Sequence, residues 1–313
     1  MFEIIDEMRK KAKADLKTII LPEGHDARVL AAAEKIKKEN LANIILLDED
    51  ALEGQRIDIF AQEFYELRKF KGLTLEEAKA TLRNPLYYAA MMVRHGEADG
   101  FVAGASHTTP DVVRASIYCL GVDPKFGTVS SCFIMVVPDC EMGERGTFIF
   151  ADCGVIPQPT ARELANIAIS TADLEKMVLG FIPKIAMLSY STKGSARGES
   201  VEKIREAVNL VKVAYPDLII DGEVQLDSAI VPEVAKIKRA DDVLKGEANV
   251  LIFPNLDAGN ISYKLVNRLA KARAIGPILQ GLNKPCSDLS RGCTSEEIID
   301  CVVVTAIRSQ KKD

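Results

Sequence analysis

The sequence predicts a mixed α/β protein in two domains, with helices on both faces of mostly parallel strands and one antiparallel hairpin. Three observations predict it. Short apolar runs alternate with stretches of helical spacing, the signature of parallel strands covered on both sides. Residues 129–137 and 146–155 are two strand-like runs joined by the short loop Pro138–Arg145, which reads as a hairpin. At 313 residues the chain exceeds the ~250–300 at which single cores usually split. With no long linker in view, the crossings are expected near 138–145 and 280–288. This gives one domain over 1–140 plus 285–313 and a second over 141–284.

The elements follow in order. Residues 4–16 form a helical opening, and Thr18-Ile19-Ile20-Leu21 is a strand. Pro22-Glu23-Gly24-His25-Asp26 is a turn whose Asp26 caps the helix beginning at Ala27. A strand at Asn43–Leu47 precedes helices near 61–70 and 75–96. The run Ala98–Ser106 is a strand entering a small-residue loop, and His107-Thr108-Thr109-Pro110-Asp111 opens the next helix. After the hairpin come a helix over 160–174, a strand at Lys184–Leu188, a helix near 200–213 and strands at 218–220 and 250–253. A buried strand ends in Pro277-Ile278-Leu279-Gln280, and a last helix carries Ile298-Ile299 and Val302-Val303-Val304.

Composition excludes several classes. An apolar share of 48% and a charged share of 27% are those of an ordinary soluble globular protein. A net charge of −5 with intermixed signs argues against a nucleic-acid surface. No apolar run reaches the ~18 residues of a membrane span, and the acidic N-terminus is unlike a signal peptide. The seven cysteines are odd in number and lack a C-x-x-C pair, as expected of free thiols in a reducing cytoplasm. No G-x-G-x-x-G follows a strand, and the three histidines are scattered, so neither a dinucleotide nor a zinc site has support. Asp221, Glu223 and Asp227 read as strand-end and capping residues or, less naturally, as ligands of a divalent metal.

Ligands in open α/β sheets bind beyond the carboxyl ends of the strands, so the loops there are the candidates. Gly104-Ala105-Ser106-His107-Thr108-Thr109 offers small residues, hydroxyls and a following helix N-terminus, and reads equally as a phosphate seat or an ordinary loop. Asn255–Asn260 is a second polar, glycine-containing loop. Ser191-Thr192-Lys193-Gly194-Ser195 lacks the P-loop pattern. The stretch from Gly281 to Glu297 sets a hydroxyl (Ser290) beside a fork-shaped cation (Arg291), with carboxylates at 296 and 297 shortly after. Such a set could join proton transfer to oxyanion stabilisation. Read blandly, Thr294-x-x-Glu297 is a capping box and Arg291 a turn residue.

Taken together these blocks resemble the phosphate acetyl/butyryltransferase family along almost the whole chain. They run from Leu21-Pro22-Glu23-Gly24-His25-Asp26-x-Arg28-Val29-Leu30 through Ala98-Asp99-Gly100, Gly104–Thr109 and Ala151-Asp152-Cys153-Gly154-Val155. They continue through Ser189–Gly198, Asp221–Gln225 and Phe253–Asn260 to Gly281–Pro285 and Asp288–Cys293. The resemblance implies a fold related to the isocitrate and isopropylmalate dehydrogenases, with an active-site cleft between two α/β domains. It also implies a cytoplasmic homodimer that binds small molecules and neither nucleic acid nor membrane. The implied reaction is reversible acetyl transfer between coenzyme A and inorganic phosphate, with coenzyme A as substrate, no separate cofactor and no metal.

By the same resemblance Ser290 and Arg291 are the catalytic pair, and the catalytic acid, usually Asp in the family, falls on Glu297. The added methylene of Glu297 puts its reach in question, and Asp300 is the nearby alternative acid. Arg68, Arg114 and Arg268 fall on coenzyme A contacts, while Ser106, Thr108, Thr109 and Lys284 are expected against phosphate or acetyl phosphate. A thiol near ~8.5 and a free glutamate near ~4.3 differ by about four pKa units, so unassisted proton transfer costs roughly 5–6 kcal/mol. The implied chemistry therefore needs burial to raise the carboxylate and a neighbouring cation to lower the thiol, and Arg291 is assigned the second task. A phosphate butyryltransferase, a metal-dependent dehydrogenase and a non-catalytic acyl-CoA-sensing module are the competing readings.

Overall fold

The computed structural model describes residues 3–47, 52, 55–238 and 243–310. Along the chain the first elements are α1 (Glu3–Ala14), β1 (Thr18–Leu21), α2 (Ala27–Glu39), β2 (Asn43–Leu46) and α3 (Gln55–Arg68). A 3-10 turn at Lys69–Lys71 leads to α4 (Leu75–Thr81), α5 (Pro85–Arg94), β3 (Gly100–Ala103) and α6 (Thr109–Leu120). Next come β4 (Ser130–Val136), α7 (Met142–Arg145), β5 (Thr147–Ala151), α8 (Ala161–Val178), β6 (Lys184–Leu188) and α9 (Glu199–Ala214). They are followed by β7 (Ile219–Val224), α10 (Leu226–Ile230), α11 (Pro232–Ile237), β8 (Val250–Ile252), α12 (Leu256–Leu269) and β9 (Arg273–Gln280). The chain closes with β10 (Cys286–Asp288) and α13 (Ser295–Ser309).

Two compact units result. One is Glu3–Asp123 with the stretch from Leu282 onward, and the other is Pro124–Gly281. The chain thus crosses at 123–124 and 281–282. The loop 138–145, where the sequence suggests the first crossing, is instead the turn of a hairpin. Its strands β4 and β5 pair from Cys132↔Ala151 to Val136↔Thr147 and keep it inside the second unit.

In the first unit the strands run β2-β1-β3-β10, all parallel, with Ile20 opposite Phe101 and Asp288 opposite Ala103. Ile19–Leu21 of β1 and all of β3 and β10 are buried because helices cover both faces, whereas the edge strand β2 is half-buried to exposed. α13 packs on α1, α2 and β3 through its buried run Ile298–Ile307. Two local features differ from the sequence expectation. The single helix expected over 75–96 is two, because Pro85 supplies no N–H; Asn84 caps α5 there, accepting from the Leu86 amide at 2.9 Å. A short strand, β10, also lies inside the stretch read as one long loop between 280 and the last helix.

In the second unit β9-β4-β5 is antiparallel and β5-β8-β6-β7 parallel, around a core that includes Phe133, Phe148, Phe150, Leu251 and Phe253. The mixed α/β class is the one observed. Residues 256–260, read as loop, are the first turn of α12. Asn255 caps it by accepting from the Ala258 amide at 3.0 Å. Gly259 sits inside this helix because a Cβ there would lie 2.1 Å from the Asp152 carbonyl oxygen. The three acids left open as metal ligands are each paired instead. Lys193 bonds Asp221 at 2.5 Å, Arg205 bonds Glu223 at 2.8 Å, and Lys238 bonds Asp227 at 2.7 Å.

Glu175 on α8 is 1% exposed, and its Oε2 has no hydrogen-bond partner among the described residues. Burial, reinforced by the nearby Glu144 charge, pushes its carboxyl up to about 8. The folded state then holds a proton that the unfolded chain releases near ~4.3, so this group makes stability fall as pH rises from about 4.5 to 8. Glu175→Gln is expected to remove that slope. Denaturant titrations should show equal stability at pH 4 and, at pH 9, a variant more stable by up to about 5 kcal/mol.

Candidate active site

Of the sequence-predicted residues of the first unit, Ser106, Thr108, Thr109, Ser290, Arg291 and Glu297 lie where β1, β3 and β10 end and where α2, α6 and α13 begin. Their most constrained feature is Glu23, two residues past β1. Its Oε2 accepts from the amides of Gly104 (3.0 Å) and Ala105 (2.8 Å). Its Oε1 accepts from the amides of Ser106 (2.9 Å) and His107 (3.0 Å), from Ser106 Oγ (3.0 Å) and from His107 Nδ1 (2.8 Å). Burial alone would raise this carboxyl, but the bonds from His107 and from the loop amides overcome it and bring Glu23 to about 2. The loop read as a phosphate seat is therefore filled by the protein's own carboxylate, and the Ser106 amide and hydroxyl are spent on it. Glu23 is the residue that sequence reasoning missed; its signal is an acid placed directly behind a buried strand.

Arg28, on the first turn of α2, ties three loops together. Its Nη1 donates to the carbonyls of Arg291 (2.8 Å) and Cys293 (3.0 Å). Its Nη2 donates to the Ala105 carbonyl (2.8 Å) and to Asp26 Oδ2 (2.7 Å), and Asp26 also caps α2 through the Arg28 amide. The planar fork spreads its donors over separate nitrogens and so reaches acceptors on different loops, where a lysine gathers its three donors on one atom.

Asp288, the last residue of β10, is fully buried. Thr109 Oγ1 lies 2.5 Å from its Oδ2, and its Oδ1 has no partner among the described residues. Gly104, with φ +115°, passes so close that a Cβ would stand 2.3 Å from Oδ1. Burial pushes the carboxyl up to about 7; bonds from Thr109 and the Leu289 amide pull the other way, and the Glu23 charge adds to the rise.

Beyond β10 the chain turns through exposed Ser290 and Arg291, closed by the Cys293 amide donating to the Ser290 carbonyl at 2.9 Å. The Arg291 guanidinium has no hydrogen-bond or ion-pair partner among the described residues. Glu297 forms a capping box: its Oε2 accepts from the Thr294 amide (2.7 Å) and hydroxyl (3.1 Å), while the Glu297 amide donates to Thr294 Oγ1 at 3.3 Å. Its Oε1 has no such partner among the described residues. Asp300, the alternative acid, is buried and faces Arg9 at 3.9 Å, which removes it as an available base.

The remaining positions divide. Thr108 donates to Asp111 Oδ2 at 2.6 Å. Arg68 stacks on Tyr118, 3.7 Å from the ring centre, at a cavity of about 280 Å³ whose lining includes Phe64, Lys71 and Tyr87. Arg114 is exposed on α6, one helical turn before Tyr118, with Asp111 at 3.3 Å. Lys284 is not brought to the loops. It precedes β10, at the end of the parallel strands opposite to residues 104–109 and 288–291, so its proposed phosphate contact is not supported. Arg268 is exposed on α12 of the second unit.

The phosphate acetyl/butaryl transferase family model matches residues 3–306. The chain belongs to that family. A phosphate acetyltransferase of Thermoanaerobacterium thermosaccharolyticum is 49% identical over 98% of this chain and 99% of its own length. One from Acetivibrio thermocellus is 47% identical over 98% of each. The crystal structure of a phosphotransacetylase from Streptococcus pyogenes is 39% identical, covers 99% of this chain and 98% of its own, and superposes with a TM-score of 0.92. The turn after β10 is the one that carries Ser290 and Arg291.

That turn depends on Arg28. Arg28→Ala strips donors from three loop carbonyls and should lower stability by about 2–3 kcal/mol in denaturant titration. Arg28→Lys is expected to recover less than half of the loss.

Proposed function

We infer that this chain is a phosphate acetyltransferase, which catalyses acetyl-CoA + phosphate = CoA + acetyl phosphate. The observation that carries this reading is an exposed guanidinium, Arg291, without a partner among the described residues and with its own backbone clamped by Arg28, in a chain 49% identical to a phosphate acetyltransferase. In the direction of acetyl-CoA formation the coenzyme A thiolate attacks the carbonyl carbon of acetyl phosphate in a ternary complex. The carbon–sulfur bond forms, the anhydride carbon–oxygen bond breaks, and phosphate leaves with the electron pair. Arg291 binds the phosphoryl oxygens and stabilises the tetrahedral oxyanion, and Ser290 donates a hydrogen bond to the same charge. Acetyl phosphate is an activated anhydride, so positioning and charge stabilisation account for the chemistry assigned to these residues.

Glu297 takes the thiol proton through its free Oε1. The capping box supports this assignment. By folding the side chain back on Thr294 it absorbs the extra methylene that separates Glu from the family's usual Asp, and it leaves one oxygen unengaged. Coenzyme A lies along α6. From Thr109 to Tyr118 the helix rises roughly 14 Å, a span suited to a thiol near Ser290 and a nucleotide end at Arg114, Arg68 and the aromatic cavity. Thr109 is the phosphoryl contact nearest to this turn. Arg268 is assigned to coenzyme A by the family pattern alone.

The exposed stripe Ile261, Leu265 and Leu269 on α12 recurs at one helical face and supports a homodimer. Seven free cysteines fit a reducing cytoplasm, and among the described residues no helix is long and apolar enough to cross a membrane.

The decisive assay follows acetyl-CoA formation from acetyl phosphate and coenzyme A by thioester absorbance; absence of acetyl-phosphate-dependent thioester formation would refute the assignment. Arg291→Ala should lower turnover by about 10²-fold or more, by analogy with a lost oxyanion donor. Glu297→Gln should slow thioester formation while leaving the melting temperature within a few degrees, since glutamine still serves a capping box. Arg68→Ala should raise the KM for coenzyme A and leave that for acetyl phosphate in place.

A further inference from the structure

Asp288 and Glu23 are two buried acids at the same strand ends with opposite surroundings. Six donors converge on Glu23. Asp288 has the Thr109 hydroxyl and the Leu289 amide, and one of its oxygens is left bare against the Cα of Gly104. An ionised oxygen buried without any donor is costly, so this site favours a neutral acid. A neutral carboxyl has a hydrogen to give, and the group in reach is Thr109 Oγ1 at 2.5 Å.

We propose that Asp288 is a positioning residue whose proton sets the direction of the Thr109 hydroxyl. With Asp288 neutral, its O–H donates to Thr109 Oγ1, and the Thr109 hydrogen turns outward as a donor to a phosphoryl oxygen of acetyl phosphate. With Asp288 ionised, the Thr109 hydroxyl donates inward and presents a lone pair to the incoming anion. This inference rests on the acetyl-transfer reading, in which Thr109 touches the phosphoryl group.

The surroundings determine when the switch occurs. Glu23, ionised behind the 104–107 loop, opposes a second negative charge. Cys286 on the same strand stays a neutral thiol, burial having pushed it up to about 12. From α13 the strand meets the uncharged Thr305 hydroxyl, bonded to Ser287 at 2.8 Å, and from β3 it meets the Gly104 backbone. Burial first, then Glu23, hold Asp288 near about 7, so its proton leaves within the working range of the assay.

The test is the KM for acetyl phosphate and for coenzyme A, measured separately from pH 6 to 9 for the wild type, Asp288→Asn and Thr109→Val. Comparison at each pH cancels titration of the substrates themselves. The asparagine amide donates to Thr109 Oγ1 at every pH, so Asp288→Asn should keep the low acetyl phosphate KM that the wild type loses by about tenfold above pH 7. Thr109→Val should show the high value throughout, with no step near 7. The ratio of coenzyme A KM values between proteins should not change with pH. An Asp288→Asn profile that tracks the wild type overturns the proposal, as does a step retained in Thr109→Val or an equal shift in the coenzyme A KM. If Asp288→Asn fails to fold, Thr109→Val decides alone. A wild type without acetyl transfer would remove the parent reading, whereas a wild type that turns over with unshifted variant profiles removes only this one.

Discussion

The Glu23 carboxylate inside the amides of residues 104–107 is the constraint on which the rest of the candidate site depends. Four consecutive N–H groups pointing into one concavity form a strong anion trap, because each is a buried donor that must find an acceptor. A side-chain carboxylate fills it at no cost in translational freedom, since Glu23 is already held by the end of β1. Once filled, the loop fixes the Ala105 carbonyl, which Arg28 uses together with the carbonyls of Arg291 and Cys293. The positions of Ser290 and Arg291 thus follow from a chain of charge-assisted bonds that begins with a single internal acid. The exposed guanidinium is free to meet a ligand because its backbone, and not its side chain, bears the structural contacts.

The second unit uses the same device twice. Asp152, just past β5, takes the amides of Ser131, Gly154, Val155 and Ile156 and the Ser131 hydroxyl at 2.7 Å. Glu223, near the end of β7, takes the Gly194 amide at 2.8 Å, the Ser191 hydroxyl and the Arg205 fork. Burial would raise Glu223, but Arg205 and these donors bring it to about 2. Asp152 closes its own loop, whereas for Glu23 and Glu223 a loop of small and polar residues is closed by an acid from a distant strand end. Loops of this composition look empty and anion-seeking in a sequence because the closing acid is distant in the chain. For Glu23 and Gly104 the separation is 81 residues.

That degeneracy explains what was legible. Alternating apolar runs identified nearly every strand, since a strand buried on both faces leaves a dense local signal. The hairpin was legible from its short loop, and Asp26 as a cap from its place before the apolar period. The turn at Ser290-Arg291 stood out because a hydroxyl, a fork-shaped cation and acids lie close in sequence. β10 was not legible: its three residues, one of them a buried Asp, carry no apolar period, and only pairing with β3 makes them a strand. The break before Pro85 and the helix over the Asn255–Asn260 turn turned on capping by an asparagine, a signal easily read as a loop. Lys284 was misplaced for the same reason as β10: an undetected strand put it at the far end of the sheet from the residues it seemed to accompany.

Both readings of Thr294-x-x-Glu297 can hold at once, and the reason is geometric. A capping box engages one carboxylate oxygen with the N-cap residue and fixes the other in space. A base needs a located oxygen and an orientation that does not wander, which is what a cap supplies. The neighbouring Glu296 has a different environment: Arg9 at 3.4 Å and Lys35 hold it against α1 and α2, so its charge is spent on packing. Of the three acids at the start of α13, Glu296 and Asp300 are paired with cations, Arg9 facing both and Lys35 facing Glu296. Only Glu297 joins a rigid position to an unengaged oxygen, and that combination, rather than the identity of the residue type, is what a thiol would select.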